Sequence, residues 1–400
     1  MLKLLIVNIL DREEKIMAKW VKCTIGDLCD TISDTYKGND ENVILVNTSD
    51  VLEGKVLNHT LVPNKNLKGQ FKKTFRKNDI LFSEIRPANK RFAFINFEDT
   101  SNYIASTKLM VLRHNENILP EYLFAILKSN YILEELQHLA ETRSGTFPQI
   151  TFTSELSPMK VNLPDKKTQK QIVSILSSIE HKIDANENIN NNLLEQAQAI
   201  YQQMFIDNAR SDWTEGTLSD IADITMGQSP SSRSYNEDGN GTIFFQGRAE
   251  FGFRFPSIRL YTTEPKRMAQ SNDTLMSVRA PVGDLNVAHT DCCIGRGLAA
   301  IHSKYNHQSF VLYTMFSLKK QLDVFNGEGT VFGSINRNSL NGMPILIPSD
   351  DILEEFERIV APMDLTIRNN YDEICRLQDI RDTLLPRLIS GEIDVSDIGF

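Results

Sequence analysis

Apolar and polar positions follow two different rhythms along this chain. Short bursts of alternation predict strands at "VILVNTSDV" (43–51), "DILFSEI" (79–85), "RFAFINF" (91–97) and "KLMVLR" (108–113). "PEYLFAILKSNYILEELQHLA" (120–140) predicts a helix opened by Pro120. The same order returns later, with strands at "TIFFQGRAEF" (242–251), "DTLMSV" (273–278) and "LAAIHS" (298–303) and a helix at 309–325. A second rhythm, steps of four and three, begins at Ile172 and again at Phe356. Between the two rhythms stands the same punctuation, "MKVNLP" (159–164) and "MPILIP" (343–348), 184 residues apart.

The correspondence extends to polar residues. "TIGDLCD" (24–30) matches "TLSDIAD" (217–223), which aligns Asp27 with Asp220 and Asp30 with Asp223. "KNDILFSEIRP" (77–87) matches "SNDTLMSVRAP" (271–281), and "SGTFPQI" (144–150) matches "EGTVFGSI" (328–335). The order never changes and only loop lengths do, so the chain reads as one unit of nearly 190 residues written twice. Each copy is a mixed α+β globule followed by a long helical arm. The predicted boundaries are a first globule at 18–164, a first arm at 165–208, a second globule at 209–348, and a second arm with its tail at 349–400. Residues 1–17 read as an over-called start or a disordered lead; their apolar run is too short to span a bilayer, and Met17 offers a second start.

The first arm presents Ile172, Leu176, Ile179, Ile183, Asn186, Asn190, Leu193, Ala197, Ile200 and Met204 on one face. The second presents Phe356, Val360, Met363, Ile367, Asn370, Ile374, Leu377, Arg381, Leu384 and Leu388. These are heptad seams, and a seam asparagine such as Asn186 or Asn370 trades stability for register and partner number. Helices of about 35–40 residues run roughly 50–60 Å and cannot bury such a seam alone. The simplest arrangement packs the two arms as an antiparallel coiled coil, related with their globules by a pseudo-twofold axis. Pro386 is expected to end or kink the second arm.

Charge adds a location. The chain carries net −9, but 349–400 alone holds thirteen acids and five bases, so the globules are close to neutral. Residues 65–91 hold nine bases (Lys65, Lys68, Lys72, Lys73, Arg76, Lys77, Arg86, Lys90, Arg91) against two acids. The second globule has Arg248, Arg254, Arg259, Lys266, Arg267, Arg279 and Arg296. Basic clusters beside aromatics point to nucleic-acid contact. Arg143, Gln149, Gln246, Arg248, Asn336 and Arg337 lie in polar loops and suit base edges. The alternative for each is a solvated face. Five cysteines without metal spacing read as reduced buried thiols. No phosphate loop, H-E-x-x-H or amino-methyltransferase motif occurs, and "GEGTVFG" (327–333) follows a helix where a dinucleotide fingerprint would follow a strand. Two other classes remain open on residues alone: a coiled-coil adaptor that binds no DNA, and a self-contained DNA-modifying enzyme.

Two globules each followed by a long helix, together with "MKVNLPDKKTQKQIVSILSSIEHKID" and "LLPRLISGEI", resemble the specificity (S) subunit of type I restriction–modification systems. The match covers residues 18–395, although Lys166-Lys167 and Lys170-Gln171 stand where the family usually has a second proline and a Glu-Gln pair. The resemblance implies a cytoplasmic recognition subunit without an active site. Each globule would be a target-recognition domain reading half of an asymmetric site on double-stranded DNA, and the arms would space the halves. It also implies two methyltransferase (M) subunits carrying S-adenosylmethionine and flipping an adenine, and restriction (R) subunits using ATP and magnesium. No cofactor or metal is implied in this chain, nor any membrane association.

Overall fold

The computed structural model describes residues 20–65, 69–143, 147–327 and 333–395. They form two compact units: Asp184–Ile374 is one, and the described residues on either side of it make the other. Residues 1–17, Lys68, and most of the "GEGTVFG" stretch lie outside the described residues.

The first unit holds two four-stranded sheets. One is ordered 61–63, 42–46, 103–106, 71–73, and the other 29–32, 109–114, 80–83, 92–94. The second unit repeats this plan, with 235–236, 260–262, 242–245, 292–294, 268–269 in one sheet and 222–226, 298–303, 274–277, 285–287 in the other. Each unit has a parallel pair at the matching place, Ile44 beside Tyr103 in one and Phe244 beside Cys293 in the other. The punctuation motifs are closing strands. Lys160–Leu163 pairs antiparallel with Val21–Thr24, and Pro344–Ile347 with Thr214–Thr217. Proline cannot continue the ladder, so the strand stops at Pro164 or Pro348 and the arm begins. The Asp165 carboxylate accepts the Thr168 N–H at 2.8 Å and caps the first arm, which runs Lys166–Tyr201. The second arm runs Asp350–Ser390.

The polar residues shared by both copies are architectural. Asp27 and Asp220 each accept a backbone N–H three residues earlier, from Thr24 and Thr217, and those bonds hold both carboxyls below the usual range. Asn78 and Asn272 both take left-handed φ, 70° and 74°, in turns where Asp79 and Asp273 cap the chain at Arg76 and Gln270. The buried Asp79 also takes a two-pronged bond from Arg113, at 2.8 and 2.7 Å, and Asp273 is bonded to His302 at 2.6 Å. The paired aspartates therefore fasten turns to strands.

Three expectations are corrected. The helix at 120–140 is two helices, Pro120–Leu127 and Asn130–Arg143, because the Ser129 hydroxyl donates back to Ile126 O at 2.7 Å and closes the first. Its counterpart likewise splits into Gln308–Ser317 and Lys319–Asp323. The second arm passes through Pro386 without ending, and Gly391 takes the left-handed φ just beyond its last residue. No helix among the described residues is long and apolar enough to cross a membrane.

Within the second unit the two arms run antiparallel. Asn186 donates to Glu373 at 2.9 Å and Asn370 donates to Asn190 at 2.9 Å, so residue numbers rise on one arm as they fall on the other. Farther along, Tyr201 and Phe205 pack edge-on against Phe356, with centroids 5.9 and 5.0 Å apart. Leu193, Met204, Val360, Met363 and Ile367 join the same core. The seam asparagines Asn186 and Asn370 thus bond one turn apart, each to a different residue of the facing arm. In the first unit, Ile172, Leu176, Ile179 and Ile183 are buried, as are Leu377, Leu384 and Leu388. Ile175 is buried beside them, one position that the four-three stepping omits.

Arm and globule are joined by buried polar bonds. In the first unit Gln169 accepts from Leu119 N at 2.9 Å, at the start of the helix Pro120–Leu127, and Glu180 pairs with Lys128. In the second unit Glu357 accepts from Phe310 N at 2.9 Å and Asp364 accepts from Tyr313 at 2.9 Å and Arg254 at 3.0 Å. Burial pushes the Glu357 carboxyl up from 4.5 to about 6. A raised carboxyl contributes stability that is complete below about pH 4.5 and lost as pH rises through about 6. Glu357→Gln keeps the acceptor and removes the charge. Scanning calorimetry is therefore expected to show a flatter stability between pH 4.5 and 6 and a gain of about 1–2 kcal/mol at neutral pH. An unchanged pH slope would contradict this assignment.

Candidate nucleic-acid interface

A side chain can reach a polyanion only if it is exposed and not already committed. In the first globule Lys65, Lys72, Arg76 and Arg86 are exposed, with no side-chain partner among the described residues. Lys72 lies on the strand Phe71–Lys73, Arg76 opens the turn capped by Asp79, and Arg86 sits in left-handed conformation after the strand Ile80–Ser83. The backbone alone places three of these bases on consecutive segments of two adjoining sheets.

The other candidates there are engaged. The Lys73 ammonium donates to Leu109 O at 2.8 Å, and burial lowers its pKa, so it serves the fold. Lys77 pairs with Glu98, Lys90 with Glu53 at 3.5 Å, and Arg143 with Glu155 at 3.2 Å. Arg91 donates to Ser49 O at 3.0 Å, and Gln149 to Glu84 at 2.9 Å. Exposed pairs such as those of Lys77 and Lys90 are worth roughly 0–1 kcal/mol, so these two lysines can exchange an acid for a phosphate at little cost.

In the second globule Gln246, Arg279, Arg296 and Arg337 are exposed, with no side-chain partner among the described residues. Arg248 pairs with Asp284. Asn336 caps the helix Arg337–Asn341 by accepting from Ser339 N at 2.9 Å. Arg254 is a correction: it is 5% exposed, donates to Tyr313 at 3.1 Å and Asp364 at 3.0 Å, and belongs to the globule–arm joint. A charge count cannot separate such an arginine from its exposed neighbours.

The two globules build one junction bond for bond. Glu84 N donates to Lys108 O at 3.0 Å where Val278 N donates to Gly297 O at 2.9 Å. Arg86 N bonds Pro148 O as Ala280 N bonds Gly333 O, and Ile150 N bonds Glu84 O as Ile335 N bonds Val278 O. Ile85 bridges to Gln149 as Arg279 bridges to Ser334. What differs is the chemistry on this frame. The first globule gathers Glu84, Lys108 (3.5 Å from Glu84) and Gln149; the second carries Val278, Arg279 and Arg296. Lys108 escaped the sequence reading because it lies outside the basic run, and only the repeat alignment with the "GRG" turn points to it.

Comparison with known proteins bears on this frame. A family model described as the type I restriction modification DNA specificity domain matches the chain twice, over residues 17–195 and 210–374. The HindI type I restriction enzyme specificity subunit of Haemophilus influenzae is 30% identical, over 94% of this chain and all of that protein. The MjaIX specificity subunit of Methanocaldococcus jannaschii is 24% identical over 74% of this chain and 75% of that one. The crystal structure of a type I restriction–modification S subunit from M. genitalium shares the fold, with a TM-score of 0.58 at 16% identity over 94% of this chain and 98% of that chain.

Replacing Lys72 and Arg76 together by alanine is expected to weaken binding to duplex DNA similarly for all sequences. The log–log salt slope should fall by about two, whereas Lys73→Ala should lower thermal stability and leave the slope nearly unchanged. Anisotropy titrations at several salt concentrations check both. A loss confined to one DNA sequence would make these residues readers instead of anchors.

Proposed function

The chain belongs to the type I restriction modification DNA specificity family, and from that premise we infer that each globule reads one half of a bipartite DNA site while the arms fix the distance between the halves. DNA sequence specificity is its role, and it supplies recognition without catalysis of its own. The observation that carries the finer reading is the double match of one family model, each copy covering a globule and part of its arm. The globules share a frame and differ in their exposed side chains, so the two half-sites differ and the whole site is asymmetric.

In this reading 18–164 and 209–348 are the target-recognition domains, and 165–208 and 349–400 are the arms. The arms pair along their full length as an antiparallel coiled coil, with a pseudo-twofold axis relating the copies. The bonds Asn186–Glu373 and Asn190–Asn370 support that pairing, as does the burial of Ile172, Ile179, Leu377 and Leu388. Lys65, Lys72, Arg76, Arg86, Arg279 and Arg337 anchor phosphates, and Lys77 and Lys90 join them by exchanging partners. The chain works in the cytoplasm with two methyltransferase subunits, which bring S-adenosylmethionine and act on a flipped adenine. Restriction subunits using ATP and magnesium complete the assembly.

Removing one heptad from both arms shortens the spacer by about 10 Å. A genomic methylation map is then expected to show the same two half-sites with a gap reduced by about three base pairs at 3.4 Å each. An unchanged gap would rule out the ruler. If about five phosphates are neutralised, log affinity should fall with log salt at a slope of about −4.5. A flat response would favour an adaptor that binds no DNA.

A further inference from the structure

In the second globule the chain crosses from the sheet containing Cys292–Ile294 to the sheet containing Leu298–Ser303 through the turn Gly295-Arg296-Gly297. Every backbone segment around this turn is pinned. Gly295 N donates to Phe245 O at 2.8 Å, Val278 N to Gly297 O at 2.9 Å, Gln228 N to Ile294 O at 3.0 Å and Ile294 N to Arg267 O at 2.9 Å. Arg296 N donates to the Ser229 hydroxyl at 3.2 Å. Neither glycine has room for a side chain: a Cβ on Gly295 would stand 2.8 Å from Gln246 O, and one on Gly297 2.9 Å from the same atom. Gly227 is tighter still, its Cβ falling 2.1 Å from Gly295 O.

The single side chain this turn projects is therefore held on a crowded frame pinned on several sides. Arg296 is exposed and has no acid partner among the described residues. Arg267 and Arg279, whose backbones lie on segments bonded to the turn, are exposed in the same way. In the first globule the frame is kept, Thr107 stands where Arg296 does, and the neighbouring Lys108, equivalent to Gly297, pairs with Glu84, which Gln149 also contacts. Val278 replaces Glu84 and leaves the arginine uncompensated. Sequence readout demands a rigidly placed donor pair, and a guanidinium presents its two N–H groups to guanine O6 and N7 in the major groove.

We propose that Arg296 is a specificity-determining residue of the second globule, reading one guanine, and that Gly227, Gly295 and Gly297 position it. This rests on the reading of the chain as a DNA-specificity subunit. The test uses the intact complex with its methyltransferase subunits, offered a library of randomised duplexes whose bound fraction is sequenced. Wild type should select two half-sites. Arg296→Ala and Arg296→Gln should lose about 10- to 100-fold of the preference at one G·C pair in one half-site, keep the other half-site, and unfold at the wild-type temperature. Gly295→Ala should relax the same pair although Arg296 is present. Retained preference at every position would overturn the assignment. So would uniform weakening with a salt slope reduced by about one, which marks a phosphate anchor, or relaxation at an A·T run, which marks minor-groove insertion. A wild-type complex that selects nothing would overturn both this assignment and the function beneath it.

Discussion

An arm of 36 or 41 residues with an apolar stripe cannot stand by itself in water, and the rest of the molecule depends on how that stripe is covered. Burying each large apolar side chain is worth about 1.5–3 kcal/mol, so the drive to pair is strong but indifferent to register. Direction and register come from polar groups inside the stripe. Asn186 and Asn190 are 1% and 3% exposed, and each finds its hydrogen bond on the other arm, with Glu373 and Asn370. A slip by one turn would leave a buried amide without its partner, at a cost of about 1–3 kcal/mol.

The globules inherit their footing from the arms. The Glu357 carboxylate takes up an orphan N–H at the start of the helix Gln308–Ser317, and Asp364 holds Tyr313 and Arg254 together. Gln169 and Glu180 do the same work in the first unit. Glu180 and Asp364 are 184 residues apart, the spacing of the proline punctuation, so each arm grips its globule from the same position with a carboxylate. Globules fastened in this way keep their orientation relative to the arm that carries them. The duplicated residues thus belong to the frame: Asp27 and Asp220 cap, Asn78 and Asn272 turn, Asp79 and Asp273 anchor. The copies differ at the junction, where the first carries Glu84, Lys108 and Gln149 and the second Val278, Arg279 and Arg296.

What was legible beforehand is what periodicity and proline encode. The arms, the proline punctuation before each of them, the principal strands and the mixed α+β class all follow from spacing. Less legible were features decided by one hydroxyl or one neighbour. Ser129 bonding back to Ile126 breaks a helix whose apolar pattern runs on, and Pro386 is carried inside a helix by the leucines around it. Among the candidate contacts, composition located the basic segments but could not tell a committed cation from a free one. Lys73 and Arg254 are bonded inward, while Lys72 and Arg296 face solvent, and nothing in the local sequence separates them. Only the alignment of the two copies, with "TK" at 107–108 standing for "RG" at 296–297, carried a trace of the junction.

Everything else in the molecule rests on the two arms of one polypeptide meeting head to tail. Asn190→Cys combined with Asn370→Cys, in a background with Cys375→Ser, places two thiols where the side chains now share a hydrogen bond. Treated with a short bis-maleimide and analysed by denaturing electrophoresis and peptide mapping, this variant is predicted to link within single chains at a yield independent of protein concentration. Linkage only between chains, rising with concentration, or no linkage while both thiols react freely, would contradict it.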